Sequence, residues 1–400
     1  MQLLSIDLRN SVLDHMCDLI DHSRQEIISE NRKDLDAYNP DDRAMYDRLI
    51  VDHHKIDGMI KAVTDIRNDR DPIGRIKYDW THDNGMQVLN KTAPFGTIMI
   101  IYESRPDVTI EAAVVAFKSN NKILLKGGKE AKHSNRILGD LWHKALSREG
   151  LDRSWITLLD LQRSETQEYL KNPPIPIDLI VPRGGEGLIS FVKKHASCPV
   201  LISGRGNNFI YIHRDADIGM AADIILQSKI QKISACNALD KVLIDRNLPN
   251  LKEFVTIIMG VLNNHDVEVL VTDELTKIGD TNSKTIQNED IWYEEFLAMK
   301  IAFGLTDDES QAIELINRYS GGHSVSIITQ SDETAQHFMD TIDAAAVYHN
   351  ASTRFTDGGQ MGIGAELAIS TDKLHHRGPL GLHQLVTNKW YVFGSGQIRE

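Results

Sequence analysis

The sequence predicts an α/β protein built on doubly wound parallel sheet. Three observations point there. From Gly96 onward, short apolar runs alternate with stretches of helical period. Two of those runs, in "LLKGGKEA" and "IVPRGGEG", end in paired glycines before a helical stretch, the strand ends where such sheets bind ligands. The 400 residues are 41% apolar and 25% charged, enough to bury a sizeable core in two or three domains or in one elaborated unit.

The elements follow in order. Through "SVLDHMCDLIDHSRQEII" apolar residues recur at helical spacing, so the first seventy residues read as helices. Asn39-Pro40 marks a turn between them. From "GRIKYDW" to "GMQVLNKTAP" the texture becomes strand-like, with Asn84-Gly85 as a turn. "GTIMIIYE", "NKILLKGG", "SWITLLD" and "IDLIVPRGG" read as strands; "DVTIEAAVVAFKSN" and "KEAKHSNRILGDLWHKALSREG" read as helices. A second set begins near Asp217 with a helix, followed by the strands "KVLIDRNL", "EVLVTDE", "MKIAFGLTD" and "HSVSIITQ". The C-terminal "TNKWYVFGSGQIRE" reads as a further, exposed strand. A domain boundary is expected near residue 215.

Forty-four Lys and Arg against 57 Asp and Glu leave a formal charge of −13. That speaks against non-specific nucleic-acid binding, which needs basic faces. Cys17, Cys198 and Cys236 show no framework spacing and read as reduced thiols of a cytoplasmic protein. The opening "MQLLSIDLRNSVLDHM" has neither a basic start nor an unbroken apolar run, so no signal peptide is expected. No stretch approaches the roughly 18 apolar residues of a membrane span. The adjacent histidines in "VDHHK" and "LHHRG" face different ways, so no metal site is expected.

Five motifs suit chemistry. Cys236, in "SACNAL", is flanked by small residues. It is either a core thiol or a nucleophile open to a ligand. A helix starting near Asn237 would favour the thiolate and hold an oxyanion. "KGGK", Lys126 to Lys129, is either a tight turn or a phosphate site at a helix start, and "PRGGEG" repeats that logic with Arg183. In "YESRP", Arg105 either pairs with Glu103 or Asp107 or offers a fork to an anion. "NASTRFTDGGQMGIGAE" is a glycine-rich loop whose Ser352, Thr353 and Arg354 suit a small anionic substrate.

Together "IYESRPDVT", "LLKGGKEAKHSNR", "PRGGEGLI", "SACNAL", "NASTRFTDGGQMGIGAE" and "HHRGPLGL…FGSGQIR" closely resemble, in order, the gamma-glutamyl phosphate reductase family of the aldehyde dehydrogenase superfamily. The resemblance runs from about Gly96 to Arg399. It implies NADPH-dependent reduction of L-glutamyl 5-phosphate to glutamate 5-semialdehyde, with release of phosphate, in proline biosynthesis. It also implies an aldehyde-dehydrogenase-like fold: a Rossmann-type NADP-binding domain over 1–215 with a β flap near 75–92, a catalytic domain over 216–365, and a return segment and oligomerisation strand over 366–400.

The family's catalytic cysteine falls on Cys236, which would pass through a thioester. Backbone N–H groups, Arg105 or Asn237 would hold the oxyanion. Lys126, Gly127, Lys129, Arg183, Gly184, Gly185 and Glu295 are the implied cofactor contacts, with Lys129 favouring NADP(H) over NAD(H) through a 2′-phosphate. Ser352, Thr353, Arg354 and Asp357 are the implied substrate contacts. Oxidising members of the superfamily carry a water-activating glutamate in a stretch that corresponds here to "VLISGRGNN", Val200 to Asn208, which has no carboxylate. Asp107, where family members often have Asn, and the 202–208 stretch depart from the pattern. A homodimer or tetramer is implied; association with a glutamate kinase stays open. The rival readings are a dehydrogenase or acylating reductase for another acyl substrate, and a non-catalytic scaffold.

Overall fold

The computed structural model describes residues 2–39, 42–278, 283–374 and 376–399; Pro40 of the expected turn and His375 of the histidine pair fall outside them. The chain forms two compact units. One comprises Met1–Ser203, Gly362–Ala368 and Pro379–Glu400; the other comprises Gly204–Met361 and Ile369–Gly378. Residue 215 lies within the second unit, in the turn that follows its first strand.

In chain order the strands of the first unit are β1 (Ile76–Thr81), β2 (Gln87–Pro94), β3 (Thr97–Tyr102), β4 (Lys122–Lys126), β5 (Ile156–Leu158) and β6 (Leu179–Arg183). Those of the second are β7 (Asn208–Ile212), β8 (Leu239–Asp245), β9 (Glu268–Val271), β10 (Lys284–Thr285), β11 (Lys300–Thr306), β12 (Ser324–Ile328) and β13 (Ala346–His349). Then come β14 (Glu366–Ser370), β15 (Gly378–Gly381) and β16 (Val386–Phe393).

In the first unit β5, β4, β3 and β6 form a parallel sheet in that order. Strand order reverses between β3 and β6, which makes their carboxyl ends the switch point. β3 is almost wholly apolar because helices cover both faces. Helix Val108–Lys118 is buried along its whole length, its outer side packed by the N-terminal helices Ile6–His22 and His53–Asn68. Its residues therefore carry apolar groups all round. Those N-terminal helices are tied down by polar anchors. Arg9, 2% exposed, pairs with Asp71 at 2.7 Å and donates to the Lys118 carbonyl. Lys118 in turn donates to the Arg67 carbonyl and the Asn10 amide, each at 2.7 Å.

β1, β2 and β16 form an antiparallel flap in that order. The Asn84-Gly85 turn closes its hairpin, with Gly85 at φ +85°. Tyr78, Trp80, Trp390, Val392 and Phe393 lie exposed on it.

The second unit holds a seven-stranded parallel sheet, ordered β10-β9-β11-β8-β7-β12-β13. β7 is near its middle, yet no strand was expected there. The five-residue run "NFIYI" is too short to show a period, and a fully buried strand has no polar alternation to betray it. β13 and the β14–β15 pair were likewise not foreseen. No helix among the described residues is long and apolar enough to cross a membrane.

Candidate active site

Cys236 sits in a turn between helix Ile218–Ile230 and β8. The helix expected to begin near Asn237 is absent: the chain goes from that turn directly into the sheet. The Cys236 turn lies at the amino end of β8. Cys236 is half-buried. Cys17 and Cys198 are half-buried as well, but burial pushes both of their thiols up. Those two are held as thiols, the unreactive form.

A rigid wall holds the Cys236 turn. Asn208, fully buried at the start of β7, donates to the carbonyls of Cys236 at 2.8 Å and Ala238 at 2.7 Å. Its own oxygen accepts from the Ser324 amide at 3.1 Å. Gly206 lies flush against the cysteine. A Cβ there would collide with the Cys236 carbonyl and stand 2.7 Å from its Cα. The departure noted at 202–208 thus serves as the support under Cys236, a role that a glycine followed by an amide can hint at only once the fold is known.

Asn237 is also structural. Its amide nitrogen donates to the carbonyls of Arg354 at 3.1 Å and Thr356 at 2.9 Å. Both amide hydrogens are committed, so the side chain has none for an oxyanion. Thr353 answers in the other direction, donating to the Asn237 carbonyl at 2.8 Å. Ser352 Oγ shares a 2.6 Å bond with Ser228 and accepts from the Arg354 amide. Asp357 Oδ1 accepts from the amides of Gly359 and Gln360, capping the next turn. Of the four residues expected at the substrate, three are thus engaged in holding the loop.

Arg354 differs. Its Nε and Nη1 are buried and have no hydrogen-bond acceptor among the described residues. Burial pushes its pKa down, while interaction with the Cys236 sulfur and the Asp357 carboxylate pushes it up. The guanidinium and the thiol are therefore within electrostatic reach, and a nearby cation favours a thiolate.

Beneath the loop runs a chain of hydroxyls. Thr356 Oγ1 bonds Ser324 Oγ at 2.6 Å and the Tyr348 hydroxyl at 2.8 Å. Ser324 Oγ also bonds His323 Nδ1 at 2.7 Å. His323 is fully buried, and burial pushes its pKa down to about 4. Neither His323 nor Tyr348 was singled out from the sequence, and Gly206 and Asn208 were noted only as part of the 202–208 stretch.

The first unit contains the glycine-pair sites. Lys126 ends β4, half-buried, and its ammonium donates to the Gly127 carbonyl at 2.9 Å. Burial pushes its pKa down, against the pull of Glu130, Asp160 and Glu103. Lys129, Lys132 and His133 line a cleft of about 540 Å³ with Glu103, Ser104 and Glu130. Gly185 caps helix Glu186–His195, and its amide donates to the Glu103 carboxylate at 3.3 Å. A Cβ on Gly184 would collide with that carboxylate and stand 2.8 Å from Leu188 Cδ2. Arg183 closes β6 at the switch point.

Arg105 pairs with Asp107 at 2.9 Å, one of the two partners expected for a structural role. Asp107 is buried. Burial alone would raise its pKa; Arg105 and Lys55 outweigh that and hold it below the usual carboxylate value. In the second unit, Glu295 lies between β10 and β11, next to Phe296, whose ring is buried. Among the described residues no three His, Cys, Asp or Glu side chains gather as a metal site.

No protein-family model matches the chain. It is 39% identical to the gamma-glutamyl phosphate reductase of Nautilia profundicola over 400 residues, covering 99% of this chain and 96% of that protein. The crystal structure of gamma-glutamyl phosphate reductase from Thermotoga maritima superposes with a TM-score of 0.93 at 38% identity, over 99% of this chain and 95% of the other. An acetylating aldehyde dehydrogenase from Geobacillus thermoglucosidasius, at 17% identity, shares the fold with a TM-score of 0.70 over 99% and 94% of the two chains. Full-length similarity at this level leaves one conclusion: the chain belongs to the gamma-glutamyl phosphate reductase family.

Proposed function

We propose that the chain reduces L-glutamyl 5-phosphate to L-glutamate 5-semialdehyde with NADPH, through a thioester on Cys236, as the second step of proline synthesis from glutamate. The observation that carries this reading is the Arg354 guanidinium, with two buried N–H groups lacking acceptors, in electrostatic reach of Cys236. Such donors suit an anionic group of the substrate, and glutamyl phosphate offers both a carboxylate and a phosphate. The Cys236 thiolate attacks the acyl carbon; the C–S bond forms as the bond to the phosphate oxygen breaks, and phosphate leaves. The Asn208 and Gly206 wall fixes the angle of attack. The Val200–Asn208 stretch brings no carboxylate to activate water, which protects the acyl group from hydrolysis.

The first unit fits a dinucleotide. The Gly185 amide already carries a carboxylate, a stand-in for a pyrophosphate oxygen, and Gly184 admits no side chain. Gly127 is equally tight: a Cβ would collide with the Asn135 amide. Lys126 and Arg183 would flank the ligand. Lys129 on the cleft rim would meet a 2′-phosphate, the feature that selects NADP(H). In the second unit, Glu295 is the residue that the family resemblance implies for the nicotinamide ribose. When bound, the cofactor supplies the hydride that converts the acyl group to the aldehyde. The exposed apolar flap supports self-association as a dimer or tetramer, and the three free cysteines fit a reducing cytoplasm.

Running the reaction backward tests the proposal. Steady oxidation of glutamate 5-semialdehyde is expected only with NADP⁺ and inorganic phosphate together. Sustained turnover without phosphate would overturn the acyl-phosphate assignment.

A further inference from the structure

Beside the cysteine turn lies a buried charge cluster that the chemistry above does not use. Lys229, in the last turn of helix Ile218–Ile230, pairs with Asp240 at the start of β8 at 2.8 Å, both fully shielded from water. This pair closes the segment that carries Cys236. The second oxygen of Asp240 accepts from the Phe296 amide at 2.8 Å. Lys241, fully buried, donates to the Glu294 carbonyl at 2.7 Å, and its ammonium lies 3.5 Å from the centre of the Phe296 ring. Lys300 approaches the same ring at 4.4 Å and the Glu294 carboxylate at 3.6 Å. The peptide groups on both sides of Glu295 are therefore gripped, the carbonyl before it by Lys241 and the amide after it by Asp240.

We propose that Asp240 and Lys241 are positioning residues that lock the Cys236 turn and the Glu295 turn in one register. The inference rests on the reading of Cys236 as nucleophile and Glu295 as a cofactor contact. Asp240 reaches both turns, through Lys229 and the Phe296 amide, while its neighbour Lys241 grips the Glu295 turn alone. An apolar cluster would pack at lower electrostatic cost; what the charges add is direction, because each fixes one named backbone atom. The groups facing Lys241 are Asp240, Lys229, Glu294 and Lys300. Burial holds its pKa down near about 7, which matches a lysine kept for its geometry at a price in stability.

The test uses the full chain with three variants, Lys241→Met, Asp240→Asn and Glu295→Gln. Steady-state constants for NADP⁺ are measured alongside the rate of Cys236 alkylation by iodoacetamide without cofactor. Lys241→Met is expected to raise the KM for NADP⁺ by about 10- to 100-fold, the range for partners that orient a ligating side chain, while alkylation is unchanged. Asp240→Asn is expected to alter both. Thermal melting reports whether each variant folds, and Lys241→Met alone suffices if Asp240→Asn does not. A raised KM in Glu295→Gln with none in Lys241→Met overturns the positioning role alone. An unchanged KM in both overturns the reading of Glu295 and takes the positioning role with it.

Discussion

A buried N–H group without an acceptor costs about 1–3 kcal/mol, and Arg354 carries two. That cost is recovered when an anion fills the position. Arg354→Gln should therefore raise the KM for glutamate 5-semialdehyde about 10- to 100-fold, the loss of one or two charged hydrogen bonds, without lowering the melting temperature. Arg354→Lys should not restore it, because an ammonium cannot replace the fork. His323 gives a second expectation. Folding lowers its pKa from 6.5 to about 4. Between those values the unfolded chain binds a proton that the folded chain does not, so stability falls as pH drops through that window. Denaturant titrations at pH 7 and pH 4.5 should show a smaller drop in His323→Gln than in the parent chain. Cys236 and Arg354 drew notice in the sequence, the first for the small residues around it and the second for its long glycine-rich loop. Asn237 stood in the same motif, yet its role depends on which carbonyls lie opposite, and spacing does not give that.

At the level of elements, the Cys236 turn depends on β7 and the residues before it. Gly206→Ala would force a Cβ into the Cys236 carbonyl, a backbone group that cannot swing aside. Overpacking of this kind costs about 1–3 kcal/mol, and the displaced sulfur should lower turnover about 100-fold, as an ångström of misplacement does. Stopped-flow and melting measurements on one preparation separate the two effects; full activity in the alanine variant would contradict the close approach. The strands ending in glycine pairs were plain in the sequence, since a buried strand, a turn and an amphipathic helix follow within a few residues. β7 was missed, and with it the support under Cys236. Its apolar run has no period, and its first residue, Asn208, looks like an ordinary polar strand start.

For the whole molecule, the alternation of strands and helices announced the fold class, while the division into units did not show. The chain leaves the first unit after Ser203 and returns to it with Gly362, and no change of composition marks either point. In the proposed reaction the acyl group passes from phosphate to the Cys236 sulfur and is then reduced to the aldehyde. The most direct test omits phosphate. With glutamate 5-semialdehyde and NADP⁺ alone, the parent chain should release a burst of NADPH stoichiometric with active sites and stop, leaving the acyl group on the Cys236 peptide in a mass-mapped digest. Cys236→Ala should give no burst. A burst from the alanine variant, or an acyl group found on another residue, would contradict the account.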